Sequence, residues 1–238
     1  MIGRFHEVSV HAPDLLASLA FYERLGFVQV TAGEAFSHPY AVVADGRLAI
    51  GLHGGGLESS PTLAFVLPDL GRRLLALEDA GIAILDRRLG EDVFNEARLD
   101  VIGQPLRLLE ARTHSPSALA PAETSRLGWF EEVALPVRDV ASARAEWERL
   151  GFVPAEEGDD PYPHVGLTSD SLNVALVAAP MLHAPALVFQ DTNLKSRVEA
   201  LAGRGFRFET RLPRGLDASR HALLLAPEGT PLLLTEAP

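Results

Sequence analysis

Two carboxylates, Glu7 and Glu132, have the side chains and the setting for chemistry, because each begins the same repeated phrase. The segment 7–10 reads Glu-Val-Ser-Val, and the segment 132–135 reads Glu-Val-Ala-Leu. A carboxylate held on a strand can transfer a proton, or it can bind a divalent metal together with other donors. Glu7 and Glu132 are therefore candidate catalytic and ligand-binding residues.

The repeat extends along most of the chain, which predicts two copies of one ancestral unit. Residues 21–27 recur as 146–152, and both segments end in Leu-Gly-Phe. We predict that residues 3–111 and 128–236 are the diverged copies. The predicted organisation is a first domain at 1–111, a linker at 112–127 that is rich in Ser, Pro and Ala, and a second domain at 128–238.

Within each copy, the order of one strand, one helix and three strands occurs twice. Alternation over residues 5–11 predicts a strand that carries Glu7 and His11 on the same face. Asp14 is placed to cap the following helix, and Gly26 is placed to end it. The predicted fold class is α+β, built from four βαβββ modules.

The composition excludes several classes of function. The 238 residues include no cysteine, which rules out disulfides, thiolate metal sites and a cysteine nucleophile. The net charge of −11 opposes binding to nucleic-acid phosphates. No signal segment opens the sequence, and no apolar run approaches the roughly 18 residues of a membrane span. We therefore predict a cytoplasmic protein, monomeric or homodimeric, whose partner is a small-molecule ligand and neither a nucleic acid nor a membrane.

A strand–helix phrase at the start of the chain indicates a family. It reads His-Glu-Val-Ser-Val at 6–10, Asp-Leu at 14–15, Ser-Leu-Ala-Phe-Tyr at 18–22 and Leu-Gly-Phe at 25–27. This phrase resembles the opening of the glyoxalase, bleomycin-resistance and extradiol-dioxygenase proteins, which form the vicinal oxygen chelate superfamily. The resemblance covers nearly the whole chain outside the linker. It implies that the modules pair into two glyoxalase-like half-barrel domains, each around a cavity.

The resemblance also implies that four inward strand positions in each cavity can hold one divalent metal, such as Fe, Mn, Zn or Ni. An ungapped alignment places these positions at Glu7, Gly51, Thr62 and Arg107 in the first copy, and at Glu132, Ala175, Ala186 and Leu233 in the second. Each copy thus keeps one carboxylate donor, and the guanidinium of Arg107 repels a cation. We therefore predict no metal cofactor. The alternative is a rebuilt site, in which a shift of register joins His53 to Glu7 or turns Glu110 inward.

The two carboxylates of the repeat, Glu7 and Glu132, have different expected environments. In the family geometry Glu7 and Arg107 face each other across the first cavity, so we expect an ion pair between them. That pair either replaces the metal site or holds Arg107 as an anchor for an anionic or carbonyl ligand. Glu132 has apolar neighbours instead, so burial should raise its pKa and make it a candidate acid or base. The alternative is that Glu132 reaches a nearby hydroxyl, arginine or water.

Aromatic and imidazole side chains occupy corresponding places in the two copies. The first copy reads His38-Pro-Tyr40, and the second reads Tyr162-Pro-His164. Such groups at a cavity mouth can stack on a planar ligand, although a proline at a strand entrance is the simpler explanation. The candidate ligand-binding residues are Glu7, His11, Tyr40, Arg107, Glu132 and His164.

These patterns predict a metal-free protein of the glyoxalase and bleomycin-resistance type that binds a small organic molecule. One alternative is an enzyme: a metal-dependent lyase, isomerase or dioxygenase with a rebuilt site, or a metal-free acid–base catalyst using Glu7 or Glu132. Another is an interaction protein whose cavities are filled by its own side chains.

Overall fold

A computed structural model describes residues 2–31, 36–57, 60–111, 125–159, 162–179 and 182–237. The fold is α+β, as predicted, with two mixed sheets that are each formed by one half of the chain. Most of the predicted linker, residues 112–124, lies outside the described residues, and the proposed domain boundaries stay a prediction. No helix in the described ranges is long and apolar enough to cross a membrane.

The first half contains eight strands and two helices within the described residues. In chain order they are β1 (Arg4–His11), α1 (Leu15–Arg24), β2 (Val28–Val30), β3 (Tyr40–Ala44), β4 (Ala49–His53), β5 (Thr62–Leu67), α2 (Leu70–Asp79), β6 (Ile84–Arg88), β7 (Glu96–Val101) and β8 (Gln104–Glu110). The spatial order in the sheet is β2-β3-β4-β1-β5-β8-β7-β6. The two module-opening strands, β1 and β5, therefore pair antiparallel at its centre.

The second half repeats this order. Its elements are β9 (Trp129–Pro136), α3 (Val140–Arg149), β10 (Val153–Gly158), β11 (His164–Thr168), β12 (Asn173–Val177), β13 (Ala186–Asp191), α4 (Leu194–Gly203), β14 (His221–Leu225) and β15 (Pro231–Glu236). The sheet order is β10-β11-β12-β9-β13-β15-β14. In the fourth module one strand is reduced to a single bridge between Phe208 and Leu224.

Local sequence explains where the first helix of each half begins and ends. The carboxylate of Asp14 accepts a hydrogen bond from the Ala17 amide at 3.0 Å, which confirms the predicted cap of α1. Asp139 caps α3 in the same way through the Ser142 amide. Each helix is followed by a glycine with positive φ, Gly26 in the first half, where a side chain would be strained.

The helices pack on the outer faces of the two sheets, and one hydrophobic core joins both halves. Phe21 of α1 meets Phe206 edge-on, with ring centroids 5.6 Å apart. The Ile2 amide donates to the Leu150 carbonyl at 2.9 Å. The two halves are therefore held together by core packing as well as by the chain. The opposite faces of the two sheets carry Glu7 and Glu132.

Candidate functional site

The four candidate positions have the same strand-pairing partners in both halves. In the first half Glu7 pairs with Ala64 and Ala64 with Arg107, while Ser9 pairs with both Gly51 and Thr62. In the second half the same ladders are Glu132 with Val188, Val188 with Leu233, and Ala134 with both Ala175 and Ala186. The alignment of the two copies from sequence is therefore matched by the sheet geometry.

Glu7 lies buried at the centre of the first sheet's inward face. Its carboxylate accepts a hydrogen bond from the Ser9 hydroxyl at 2.7 Å and from the Tyr40 hydroxyl at 2.5 Å. The Nε2 atom of His53 lies 3.6 Å from one carboxylate oxygen, and Nε2 of His6 lies 3.9 Å from the other. Four neighbouring side chains thus surround this carboxylate.

These neighbours determine the charge state of the group. Burial by itself would raise the pKa of Glu7, but His53, His6, Tyr40 and Ser9 together hold the pKa below its ordinary value. Burial, followed by the charge of Glu7 and the hydrogen bond to it, raises the pKa of Tyr40 far above its ordinary value. Glu7 is therefore an ionised hydrogen-bond acceptor, and Tyr40 is a neutral donor to it.

His53 continues this network towards the surface. Its ring is fully buried, and its Nδ1 atom lies 2.9 Å from Nε2 of the half-buried His38. Its Nε2 atom has no hydrogen-bond partner among the described residues. A buried nitrogen without a partner costs free energy, which the attraction to the nearby Glu7 carboxylate partly offsets.

Arg107 does not form the expected ion pair with Glu7, because Glu96 satisfies it locally. The Arg107 guanidinium donates from two nitrogens to one oxygen of Glu96, and Arg88 binds the other oxygen at 2.8 Å. Strands β7 and β8 form a hairpin in which Arg98 faces Arg107, and Glu96 lies two residues away on the same strand. Side chains at such diagonal cross-strand positions are within reach of an arginine.

Phe36 closes the space between Arg107 and the Glu7 network. Its ring lies 4.7 Å from that of Tyr40 and 4.9 Å from that of His53, between centroids. The Arg107 guanidinium carbon lies 4.8 Å from the Phe36 centroid, within the range of a cation–π contact. The centre of the first half-barrel is thus filled by the chain's own side chains.

A cavity remains beside the side chains that fill the centre of the first half-barrel. It is a cavity of about 280 Å³ that borders Arg107, Thr62, Glu96, Arg98 and Leu85. Its charged groups are engaged with one another, since Arg98 also binds Asp86 at 3.2 Å.

Glu132 has a different environment, although it occupies the position of Glu7. It is half-buried, and no described side chain donates a hydrogen bond to its carboxylate or lies within ion-pair distance of it. Burial, followed by the negative charges of Glu131 and Glu156, raises its pKa to about 7. The expected rise in pKa is therefore present, and the expected hydroxyl or arginine partner is not found among the described residues.

The inward face around Glu132 is apolar, and Leu182, Leu212 and Leu216 pack against it together with Tyr162. Its side chains form a separate cluster, and those that retain 4 to 9% exposure are Ala134, Ala175, Val177, Val188, Leu223 and Leu233. Residues on the opposite face of the same strands, Val133, Leu176, Leu187 and Leu232, are at most 1% exposed. The inward face of the second half is therefore apolar around Glu132, whereas polar side chains, Glu7, Ser9 and His53, lie at the centre of the first and are 0 to 2% exposed.

The remaining candidate residues lie at the edges of these faces. Tyr162 packs half-buried against the apolar cluster, and the negative charge of Glu132 contributes, after burial, to raising its pKa. His164 begins β11 and its Nδ1 atom lies 3.0 Å from the Tyr162 carbonyl. His11 is exposed at the end of β1. Neither histidine contacts the two carboxylates in the described structure.

Glu110, which a shift of register could have turned inward, has a structural partner instead. Its carboxylate accepts a hydrogen bond from the Asn95 amide group at 2.5 Å and from the Leu70 backbone amide at 3.3 Å. It therefore satisfies the first amide of α2, whose own cap residue Asp69 makes no side-chain hydrogen bond.

Few side chains that could bind a divalent metal converge within the described residues. In the first half His53 and His6 lie 3.6 and 3.9 Å from the Glu7 carboxylate, and a Cβ at Gly51 would lie 2.2 Å from it, so no side-chain donor can occupy that position. The second half presents Glu132 among alanine, valine and leucine. Across the described ranges no group of three or more His, Asp or Glu side chains could hold a metal. Metal sites in proteins ordinarily need three or four such donors.

Comparison with solved structures identifies the fold. The chain is similar to a catechol 2,3-dioxygenase, with a TM-score of 0.66 at 15% identity, over 98% of this chain and 87% of that one. It is similar to the homoprotocatechuate 2,3-dioxygenase of Arthrobacter globiformis, with a TM-score of 0.65 at 17% identity, over 99% and 80%. A variant of the Brevibacterium fuscum enzyme matches with a TM-score of 0.65 at 18% identity, over 98% and 71%.

These matches show that the chain has the fold of the extradiol dioxygenases, and thus the vicinal oxygen chelate fold that the sequence predicts. At such low identity the likeness establishes the fold and not the reaction. No protein-family model and no curated protein matches the sequence. The glyoxalase and bleomycin-resistance type stays a prediction at that finer level.

Two features of the site were not predicted from sequence. Phe36 precedes β3 outside any periodic segment, so no pattern marked it as the residue that fills the first cavity. Glu96 did leave a signal: the Gly103-Gln104 turn sets the β7–β8 register, and that register brings Glu96 near Arg107.

Proposed function

We propose that this protein binds a small organic molecule in the second half-barrel, without a resident metal. The ligand's apolar body packs against the alanine, valine and leucine side chains of the concave face, and its polar group meets Glu132. The observation that carries this proposal is the half-buried Glu132 carboxylate, which lies beside an apolar face and has no hydrogen-bond or ion-pair partner among the described residues. Ligand sites typically combine a mainly apolar lining with a few polar groups.

In this proposal the ligand lies over three alanines. Ala134, Ala175 and Ala186 lie on adjacent central strands, and each presents a single methyl group next to Glu132. The first half places Ser9, Gly51 and Thr62 there and fills the space above them with aromatic rings. The two half-barrels therefore have different roles, with the first acting as a packed scaffold and the second as the binding site.

The test is a screen of aromatic and apolar metabolites for a rise in the melting temperature, with two matched variants. A ligand present at 100 times its Kd should stabilise the protein by about 2.7 kcal/mol, or several degrees. Ala175→Leu fills the proposed site, so it should abolish the rise. Ala145→Leu adds the same atoms on the exposed surface of α3 and should retain it. A rise that survives equally in both variants places the ligand elsewhere and rejects the site.

A metal-dependent lyase, isomerase or dioxygenase is the second candidate, favoured by the shared fold and by the 3.6 Å approach of His53 to Glu7. Elemental analysis of the dialysed protein separates the two. We expect no stoichiometric Fe, Mn, Zn or Ni. One equivalent of metal that is retained by the native chain and lost in His53→Gln would replace our proposal with this one.

A further inference from the structure

The electrostatics of the second half-barrel narrow the chemical class of its ligand. Glu132 has acidic neighbours, since Glu131 precedes it on β9 and the charge of Glu156 on β10 also reaches it. No arginine, lysine or histidine of the described residues lies within 4.0 Å of the Glu132 carboxylate. A bound anion would therefore meet repulsion without a compensating partner, whereas a cation would be attracted.

The apolar residues around Glu132 give a second reason to expect a positively charged ligand. A carboxylate on an apolar face loses much of its hydration, and a ligand that is only apolar would leave it without any partner. A ligand ammonium group supplies both charge and hydrogen-bond donors to the carboxylate. The half-buried ring of Tyr162, packed against the same cluster, offers an aromatic surface of the kind that attracts organic cations.

The first half-barrel shows how the same framework excludes a cation. There Arg107 takes the position that Leu233 holds in the second half, and Ser9 and Tyr40 donate to Glu7. That carboxylate needs no ligand. The second half lacks the arginine and both donors, because Leu233, Ala134 and His164 stand at the three positions.

We propose that the second half-barrel selects a small organic ammonium ion with an apolar or aromatic body, with Glu132 as its counter-ion. This inference rests on the binding function proposed above. The ligand's charged group lies at the central strand β9, and its body extends over the alanines of the neighbouring strands.

Three probes of one shape and different charge test the inference: benzylamine, benzyl alcohol and benzoate, titrated by calorimetry at pH 7.5. We expect benzylamine to bind at least about tenfold more tightly than the other two, because a charge-assisted hydrogen bond contributes enough binding free energy for a ratio of that size. Glu132→Gln, which differs from the native side chain by one group, should remove this preference. Glu157→Gln removes an equal charge from an exposed residue of the same strand as Glu156 and should leave it unchanged.

Leu233→Arg provides a second, independent variant, because it places in this cavity the charge that the first half already has. It should abolish benzylamine binding with Glu132 still present. Equal binding of benzyl alcohol, or tighter binding of benzoate, overturns the ammonium inference but leaves the binding function intact. If none of the three binds, the charge of the ligands found by the metabolite screen decides: amines support the inference, and neutral or anionic ligands overturn it. A screen without any ligand rejects both proposals.

Discussion

Glu7 and Glu132 occupy the same position on equivalent central strands, yet their pKa values shift in opposite directions. The backbone setting is common to both, so the difference arises from the side chains that surround them. Glu7 is held ionised by two hydroxyl donors and two histidines. Glu132 has apolar neighbours and other carboxylates. The same strand position thus holds a carboxylate with four interacting neighbours in the first half, and in the second half one without a partner among the described residues.

The raised pKa of Glu132 predicts a pH dependence of stability. The folded-state pKa is about 7, compared with 4.5 for the ordinary group, so the folded protein binds more protons between these values. The free energy of unfolding should therefore fall as the pH rises from 4.5 to 7. The Glu132→Gln variant has no group that ionises at this position, so its free energy of unfolding should not fall in this way. We expect it to be more stable than the native protein at pH 8 by about 2 kcal/mol, after allowance for solvent screening.

Urea denaturation of both proteins at pH 4.5 and pH 8 measures this difference. The two stabilities should nearly coincide at the lower pH, where Glu132 is protonated. Glu199→Gln, at an exposed position of α4, serves as the control and should follow the native curve. Parallel curves for native protein and Glu132→Gln would show that Glu132 is ionised normally.

Glu7 should show the opposite dependence. Its folded-state pKa lies below the ordinary value of 4.5, so its stabilising effect is present above pH 4.5 and is lost as the pH falls through the folded-state pKa. Glu7→Gln keeps the shape but loses the charge that His53, Tyr40 and Ser9 surround. We expect it to cost about 2 kcal/mol at pH 7, with a smaller cost at pH 3.5. The same urea titrations test this, and a cost that is independent of pH would contradict it.

Much of the fold was predictable, because the spacing of hydrophobic residues and the residues that form turns can be read from short stretches of sequence. The strand predicted over residues 5–11 lies within β1 (Arg4–His11), and the predicted capping residue Asp14 caps α1. The side-chain partners were less predictable. Arg107 could face either Glu7 or Glu96, and the choice depends on the reach of a long flexible side chain and on Phe36 in between. Neither the direction of the Arg107 side chain nor the position of Phe36 can be read from the local sequence.

The asymmetry of the two cavities was predicted in part for the same reason. Apolar residues at the positions next to Glu132 are visible in the sequence and imply a raised pKa. The closure of the first cavity depends on His38, Tyr40 and His53 meeting Phe36, which requires the three-dimensional positions of two strands and a loop. Residues 32–35, which precede Phe36, lie outside the described residues.

Gly51 should be intolerant of substitution, because the Glu7 carboxylate occupies the place of its missing side chain. A Cβ there would lie 2.2 Å from one carboxylate oxygen and 2.5 Å from the carboxyl carbon. Gly51→Ala must displace a buried charge from its hydrogen bonds, and we expect a loss of about 2 to 3 kcal/mol in the free energy of unfolding. Gly55→Ala, where a Cβ meets nothing within 4 Å, is the matched control. Equal stability of the two variants would show that Glu7 can move without cost.

Tyr22 and Glu228 should couple the two halves of the protein energetically. The buried Tyr22 hydroxyl donates to one oxygen of Glu228 at 2.6 Å, and the Ser18 hydroxyl donates to the other at 2.7 Å. Burial, together with the Glu228 charge, raises the pKa of Tyr22 well above its ordinary value, so the phenol stays neutral and continues to donate.

A double-mutant cycle with Tyr22→Phe and Glu228→Gln isolates this contact. We expect Tyr22→Phe alone to cost about 1.5 kcal/mol, and the coupling energy between the two sites to be about 1 kcal/mol, because a hydrogen bond to a charged acceptor is stronger than one to an amide. Ser18→Ala in the Glu228→Gln background should show a similar but separate coupling. Additive effects in both cycles would mean that Glu228 does not couple the halves, which core packing and the other hydrogen bonds between them then hold together.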